Sequence, residues 1–245
     1  MKASAQSFDE IVNYRRAVRR YDPNADFDPE AVARSIARAH LSPNSSNMQL
    51  WEFYRVRTPA RRDELAALCM GQNAARTATE LVVFAVRRDL WRRRCESVIG
   101  LQVGHFREAF GPELTPEQGR ILHYWEKLIP RLYSSGFGVF DVLKRLFAFF
   151  TGISRPMSRE VTSGDMRISA HRSVALAAMT FMWSMAAEGY DSCPMEGFDS
   201  KRVKRLLGLP SSAEISMIVA VGTRADNGVY GPRLRLPLDE VYIEV

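Results

Sequence analysis

The stretch Ile168–Asp199, ISAHRSVALAAMTFMWSMAAEGYDSCPMEGFD, decides how the rest of the chain is read. From Ile168 to Glu188 nearly every position is apolar or small, which predicts a helix buried on most of its circumference. Gly189 supplies the left-handed residue that commonly closes such a helix. An element of this kind belongs at the centre of a core. The segment after it, Ser192–Asp199, carries Pro194-Met195-Glu196-Gly197, and Asp199 caps a short basic helix ending at Gly208-Leu209-Pro210. A glycine after glutamate permits a turn whose N–H groups face a ligand; an ordinary helix–helix connector fits the same residues.

Working outward, Leu81–Val86 (LVVFAV) and Ile215–Val221 (ISMIVAV) read as strands buried on both faces, and Trp51–Arg57 (WEFYRVR) alternates as a half-buried one. Ser7 and Glu10 form a capping box for a helix over Phe8–Arg16. Asp28-Pro29-Glu30 opens a second helix that stops near Leu41-Ser42-Pro43, and Arg61–Met70 is a third, ending at Gly71. The region 92–165 reads as mostly helical, with a loop at Gly111-Pro112 and breaks around Pro130 and Gly136. After a turn at Asp226-Asn227-Gly228 the chain closes in a strand-like tail, Val241–Val245. Few strands separated by helices specify an α+β class: a mixed, mainly antiparallel central sheet surrounded by helices. No repeat or linker divides the chain, so residues 1–245 are expected to form a single domain with a helical insertion around 92–165.

Composition narrows the function. With 46% apolar and 25% charged residues the 245-residue chain is globular in character, and no charge-free apolar run approaches about 18 residues. Met1–Asp9 lacks the apolar core of a secretory signal. Cys69, Cys95 and Cys193 form neither a disulfide framework nor a metal-binding pair, which fits a reducing compartment and a cytoplasmic location. The net charge of +6 comes from short arginine clusters without interleaved aromatics, so it suits a small anion such as phosphate better than nucleic acid. No GxSxG elbow, HExxH, P-loop or GxGxxG is present, His40, His105, His123 and His171 lack ligand spacing, and Cys193 has no evident partner base. A chain without its own acid, base or nucleophile constellation is one whose chemistry a cofactor carries.

Four clusters are candidates for holding it. Tyr14–Asp22 contains Arg15, Arg16, Ala17, Arg19 and Arg20 where a helix gives way to an extended turn, and guanidinium forks match phosphate bidentately. Solvated basic residues at a helix end are the plainer reading. Ser42–Trp51 holds Pro43, Asn44, Ser45, Ser46, Asn47 and Gln49, whose amides and hydroxyls suit the edge of a flat hydrogen-bonding ring; many such loops are merely polar. The third is Pro194-Met195-Glu196-Gly197. In the fourth, Gly231–Pro237, Arg233 and Arg235 alternate on one side of an extended segment.

In this order the four clusters resemble the FMN-dependent nitroreductase family, whose pattern runs R-R-S-x-R-x-F/Y, P-S-S-x-N-x-Q-P-W, P-x-E-G-F-D and K/R-x-R-L-P. Here these stand as Arg15–Tyr21, Pro43–Trp51, Pro194–Asp199 and Arg233–Pro237. The resemblance covers roughly residues 7–88 and 165–245. It implies an intertwined homodimer with FMN at the interface and NADH or NADPH as reductant. Hydride would pass to a small-molecule acceptor: a nitroaromatic, a quinone or an activated alkene. Alternatives are another flavin reaction, such as reductive dehalogenation or substrate oxidation, and flavin binding without turnover. By the same resemblance Arg15, Arg233 and Arg235 hold the phosphate, with Arg16 and Ala17 lining its pocket. Arg19 lies near the N1/C2-carbonyl edge, the Pro43–Gln49 loop arrives from the other subunit, and backbone N–H groups around Glu196-Gly197 reach N5 and O4. No side chain acts as a catalyst.

Three positions depart from the pattern: Ala17 and Asn44 replace serines, and Leu50 replaces a proline. The 92–165 insertion departs most. Within it Phe137–Ile153 (FGVFDVLKRLFAFFTGI) reads as an amphipathic helix whose narrow polar stripe holds Asp141, Lys144, Arg145 and Ala148. A helix buried in the dimer core, a lid selecting bulky substrates and an element docking on a membrane surface are the three roles open to it.

Overall fold

The computed structural model describes residues 7–134 and 138–245. Its centre is one sheet of β1 (Trp51–Val56), β2 (Glu80–Val86), β3 (Asp191–Met195) and β4 (Glu214–Gly222), in the order β1-β2-β4-β3 with every neighbour antiparallel. A lone parallel bridge, Ala17 to Ser192, is its mixed element. The pleat sends alternate residues of β2 to opposite sides, and both sides are covered, so all of β2 is buried.

On one side Val82, Phe84, Val219 and Val221 meet the long helix read from the opening stretch. In chain order the helices are α1 (Phe8–Tyr14), α2 (Pro29–His40), α3 (Pro59–Ala67), α4 (Asn73–Thr77), α5 (Trp91–Phe110), α6 (Pro116–His123), α7 (Ile129–Tyr133), α8 (Val139–Ser154), α9 (Ser163–Ala187) and α10 (Ser200–Leu206). α9 starts five residues before the apolar run because Thr162 and Asp165 form a capping box. Its small residues, Ala170, Ala177 and Ala178, let it lie close to the sheet, while Phe181 reaches Phe84 at 5.5 Å between ring centroids. α2 packs along α9: Ser184 Oγ donates to Ser35 Oγ (2.8 Å), and Glu188 accepts from Arg34 and Arg38. On the other side Leu81, Val83, Cys193, Ile218 and Ala220 form a second core with residues of α3, α4 and α10.

Several boundaries differ from the sequence reading. α1 ends at Tyr14, since Arg15 has turned to extended backbone (φ −62°, ψ 118°). The third helix spans Pro59–Ala67 rather than Arg61–Met70, because Pro59 provides its first turn. Asp191–Met195, expected to be part of a turn, is an edge strand; Pro194 is tolerated there because an edge residue can leave one side unpaired. The tail after Val241 is not a strand: a single short turn at Leu238–Glu240 precedes it, and no partner edge meets it among the described residues. Pro130 does not break the insertion. A π-helical turn at Tyr124–Leu128 runs straight into α7, and Pro130 falls in that helix's first turn, where its missing N–H costs little. The expected break at Gly136 lies outside the described residues, as does Phe137.

α8 is inside out with respect to the chain. Most of its polar stripe faces inward, with Arg145 left exposed: Asp141 accepts from the Ser163 N–H (3.0 Å) and Oγ (2.5 Å), and Lys144 Nζ donates to the Leu132 and Ser134 carbonyls (2.9 and 2.8 Å). Ala148 is the buried residue of this helix, and its large apolar side chains are exposed.

Candidate functional site

The N-terminal arginine segment is laid against the free edge of β3. The Val18 N–H donates to the Ser192 carbonyl (3.2 Å), and the Asp22 N–H to the Thr223 carbonyl (2.9 Å). Val18 and Tyr21 are buried anchors, and the Tyr21 hydroxyl donates to the Ala220 carbonyl (3.0 Å). The returning chain is locked to the same place. The Arg19 N–H donates to the Gly228 carbonyl (2.6 Å), and Gly228 sits so near the Arg20 carbonyl that a Cβ there would lie 2.6 Å from it. Buried Asp191 ties strand to return segment, accepting from the Arg224 N–H (2.9 Å) and guanidinium (2.5 Å), while that guanidinium stacks 4.5 Å over the Tyr14 ring.

This wrapping brings the first and fourth clusters together. Arg233 Nη2 donates to the carbonyls of Val12 and Asn13 (both 3.1 Å) and of Arg15 (2.7 Å), capping the last turn of α1. Arg16 donates to the Gly231 carbonyl (2.9 Å). Burial lowers the Arg15 pKa from its ordinary range, and the charges of Arg233, Arg235 and Arg16 lower it further. Four guanidiniums thus share one corner without a carboxylate hydrogen-bonded to any of them among the described residues. Repulsion of that kind is relieved by an anion, and planar forks suit phosphate. Arg19 lies on the same strip; its charge is felt by both the Cys193 thiol and the Tyr230 hydroxyl.

The third cluster adjoins this corner through β3. Met195 ends the strand, and Glu196 and Gly197 are exposed beyond it. Gln72 Nε2 donates to the Gly197 carbonyl (2.7 Å), fixing the turn, and a Cβ on Gly197 would press on that amide at 3.2 Å. Next to it Asn73 Nδ2 donates to the Tyr230 hydroxyl (3.3 Å). On the α9 side, Glu196 borders an open cleft of about 410 Å³ with Ile168, His171, Arg172, Ser216 and Met217. Ser216 reaches it because β4 is bulged against β2: Met217 pairs with Phe84 and Ile215 with Ala85, leaving Ser216 over. At the cleft's rim burial pushes the Glu214 carboxyl up, but hydrogen bonds from Arg167 and His171 prevail and its pKa is lowered.

Among the described residues no hydrogen bond ties the second cluster to the other three. Ser42 Oγ donates to Thr180 Oγ1 (2.8 Å) and the Ser45 N–H to Ser173 Oγ (3.2 Å), so the loop rides on α9. The insertion clasps it: Tyr124 and Ser46 hydroxyls lie 2.5 Å apart, and Trp125 Nε1 donates to the Ser46 carbonyl (3.0 Å). Asn44 Oδ1 accepts from the Gln49 N–H (2.8 Å), so the residue departing from the family serine closes the loop on itself. Leu50, in place of proline, is buried with Met48 and Trp51. Ser46, Asn47 and Gln49 all hold positive φ (54°, 50°, 48°), a costly conformation for non-glycine residues that persists where surroundings impose it. Pro43, Ser45 and Asn47 are exposed.

Sequence reading passed over Gln72, Asn73, Asp191, Arg224 and Tyr230. Gln72 and Asn73 had one available signal, an amide pair directly after Gly71; the other three are placed only by the wrapped chain. Cys193 is buried, and its thiol pKa is raised by that burial against the pull of Arg19 and Arg15, which suits a packing residue rather than a nucleophile. Among the described residues no group of histidine, cysteine and carboxylate side chains is placed to hold a metal ion.

Known proteins are similar to this chain along nearly its whole length. Protein DrgA of Synechocystis is 28% identical over 221 residues, covering 90% of this chain and 85% of that one. NADH dehydrogenase of Thermus thermophilus is 29% identical over 231 residues, 94% and 91% of the two chains. The solved structure of a nitroreductase from Exiguobacterium sibiricum in complex with FMN superposes with a TM-score of 0.70 at 20% identity, covering 100% of both chains, and so shares the fold. The family model described as Nitroreductase family matches residues 12–223, running through the insertion and stopping short of Arg233. On that match the chain belongs to the nitroreductase family.

Proposed function

We propose that this chain is an FMN-dependent oxidoreductase passing hydride from NADH or NADPH to a nitroaromatic, a quinone or an activated alkene. The observation that carries the reading is the corner where Arg15, Arg16, Arg233 and Arg235 converge, with Arg15 depressed by burial and by its neighbours' charges. These residues fit the phosphate of a flavin mononucleotide, and the Glu196-Gly197 turn with its cleft lies beside them for a flat ring. Bound there, FMN would supply the site that accepts and returns hydride. The chain's own part is to bind and orient. Arg15, Arg233 and Arg235 grip the phosphate, Arg16 and Ala17 line its pocket, and Arg19 places positive charge where reduced flavin becomes negative. Pro194 and Met195, held in β3, and Gln72 fix in advance the backbone N–H donors around Glu196 and Gly197, so little reorganisation accompanies charge development.

The working unit is a homodimer in which Pro43, Asn44, Ser45, Asn47 and Gln49 complete the partner's site. Support comes from the loop's strained, doubly anchored form and from its having no hydrogen bond to the other clusters among the described residues. Three free, buried cysteines accord with a cytoplasmic setting. The test is the visible spectrum of purified protein given FMN and then desalted. Retained oxidised-flavin bands, with steady NADH or NADPH oxidation on adding a quinone, are expected. Absent bands overturn the cofactor reading, and bands without turnover overturn the enzymatic one.

A further inference from the structure

The outward face of α8 has no counterpart in the site. Phe140, Leu143, Leu146, Phe147, Phe150 and Ile153 are between 49% and 71% exposed, and at 100° per residue they fall within about half the circumference. Within α8 only Ser154, its last residue, is polar on that half. Two residues of the polar half are already committed inward: Asp141 to Ser163, Lys144 to the Leu132 and Ser134 carbonyls. Arg159 adds Nη1 to the Ala148 carbonyl (2.8 Å) and packs on Gly152, where a Cβ would lie within 2.2 Å of it. These bonds fix the helix's rotation, so it cannot turn its apolar half onto its own core.

We propose that α8 docks this protein on an anionic lipid surface. At 16 residues it is about 24 Å long, too short to span a bilayer but suited to lying in the interface. Charge selects lipid over a second copy. The exposed charged residues bordering the face in sequence are Arg131, Arg145, Arg155 and Arg159 against Glu160 alone. Two such faces set together would oppose basic rims, whereas anionic headgroups neutralise them while acyl chains take the phenylalanines. Docking does not depend on the reaction proposed above.

Flotation of the purified full chain with mixed phosphatidylglycerol–phosphatidylcholine vesicles tests this. The protein is expected to rise with them, and several-fold less with phosphatidylcholine alone. F147E/F150E, which changes only exposed side chains, is expected to cut the floated fraction about tenfold with the melting temperature unchanged. R145E/R155E is expected to lose the preference for anionic vesicles while keeping the weaker neutral binding. Failure of the parent chain to float overturns the proposal, as does flotation of F147E/F150E at the parent's level. So does a parent chain that stays down while F147E/F150E reduces its assembly size in sedimentation velocity, since a second copy would then cover the face.

Discussion

Arg233 and Arg235 stand two residues apart and do different things. Arg233 closes three backbone carbonyls at the end of α1, whereas among the described residues Arg235 hydrogen-bonds only the carbonyl of Leu234 beside it. The charges of both act on Arg15, in the corner proposed to hold phosphate. Replacing either by alanine is expected to weaken FMN binding by about 1.5–3 kcal/mol, roughly ten- to a hundredfold, as flavin fluorescence titration would report. Only Arg233→Ala is also expected to lower the melting temperature, because it alone uncaps the helix. Arg15→Lys separates charge from shape: it keeps the cation but loses the fork, so an intermediate loss of affinity is expected.

At the scale of elements, the cradle is a product of three segments held edge to edge, and its tolerance is smallest at Gly228. A methyl group there would lie 2.6 Å from the Arg20 carbonyl and 2.8 Å from that of Ala225, both backbone atoms that cannot swing away. Gly228→Ala is therefore expected to cost about 1–3 kcal/mol of stability and to weaken FMN binding by moving the backbone of Arg19. Gly100 is the contrast. It sits inside α5 with nothing within 4 Å of a Cβ, so Gly100→Ala is expected to stabilise by about 0.5–1 kcal/mol. Chemical denaturation of both variants checks the pair. Among the helices, α9 and α8 are both largely apolar and opposite in use: α9 is buried between α2 and the sheet, while α8 turns its apolar half outward.

At the scale of the molecule, two predictions concern assembly and alkaline stability. If each site takes its arginines from one chain and its Pro43–Gln49 loop from the other, mixing complementary variants restores function. Co-expressed Arg15→Ala and Gln49→Ala chains are then expected to form mixed dimers with about one intact FMN site each, although each variant alone binds poorly. Mixed dimers with no gain in bound flavin over either parent would show the loop serves its own chain. The alkaline prediction follows from burial. It raises the Cys69 thiol to about 11 and the Tyr133 phenol to about 12, each above its ordinary value near 9 and 10. Both folded-state values exceed the unfolded ones, so their stabilising contribution is complete below about pH 9 and is lost as pH climbs through 11 and 12. Melting temperatures measured across this range are expected to fall, and Tyr133→Phe to flatten the upper part of the decline.

The sequence by itself determined the elements that depend on local pattern. The α9 core helix, the buried run of β2, the strand β4, the caps at Ser7, Asp28 and Asp199, and the ordered clusters that resemble the nitroreductase family were all legible, because periodicity and capping act within a few residues; β4, read as buried throughout, is only half-buried from Glu214 to Met217. β3 was not legible, since its five residues pair with distant β4 and, at Ser192, with the still more distant Ala17, and have no pattern of their own. Nor were Asp191, Arg224, Gln72 and Tyr230, whose partners lie far off in sequence. Tertiary structure alone decided that three clusters meet while no hydrogen bond among the described residues ties the Pro43–Gln49 loop to them, and which way α8 faces. Its amphipathic pattern states that one half differs from the other. Which half turns inward was settled by Ser163, the Leu132 and Ser134 carbonyls and Arg159, whose hydrogen bonds hold the polar half against the body of the protein.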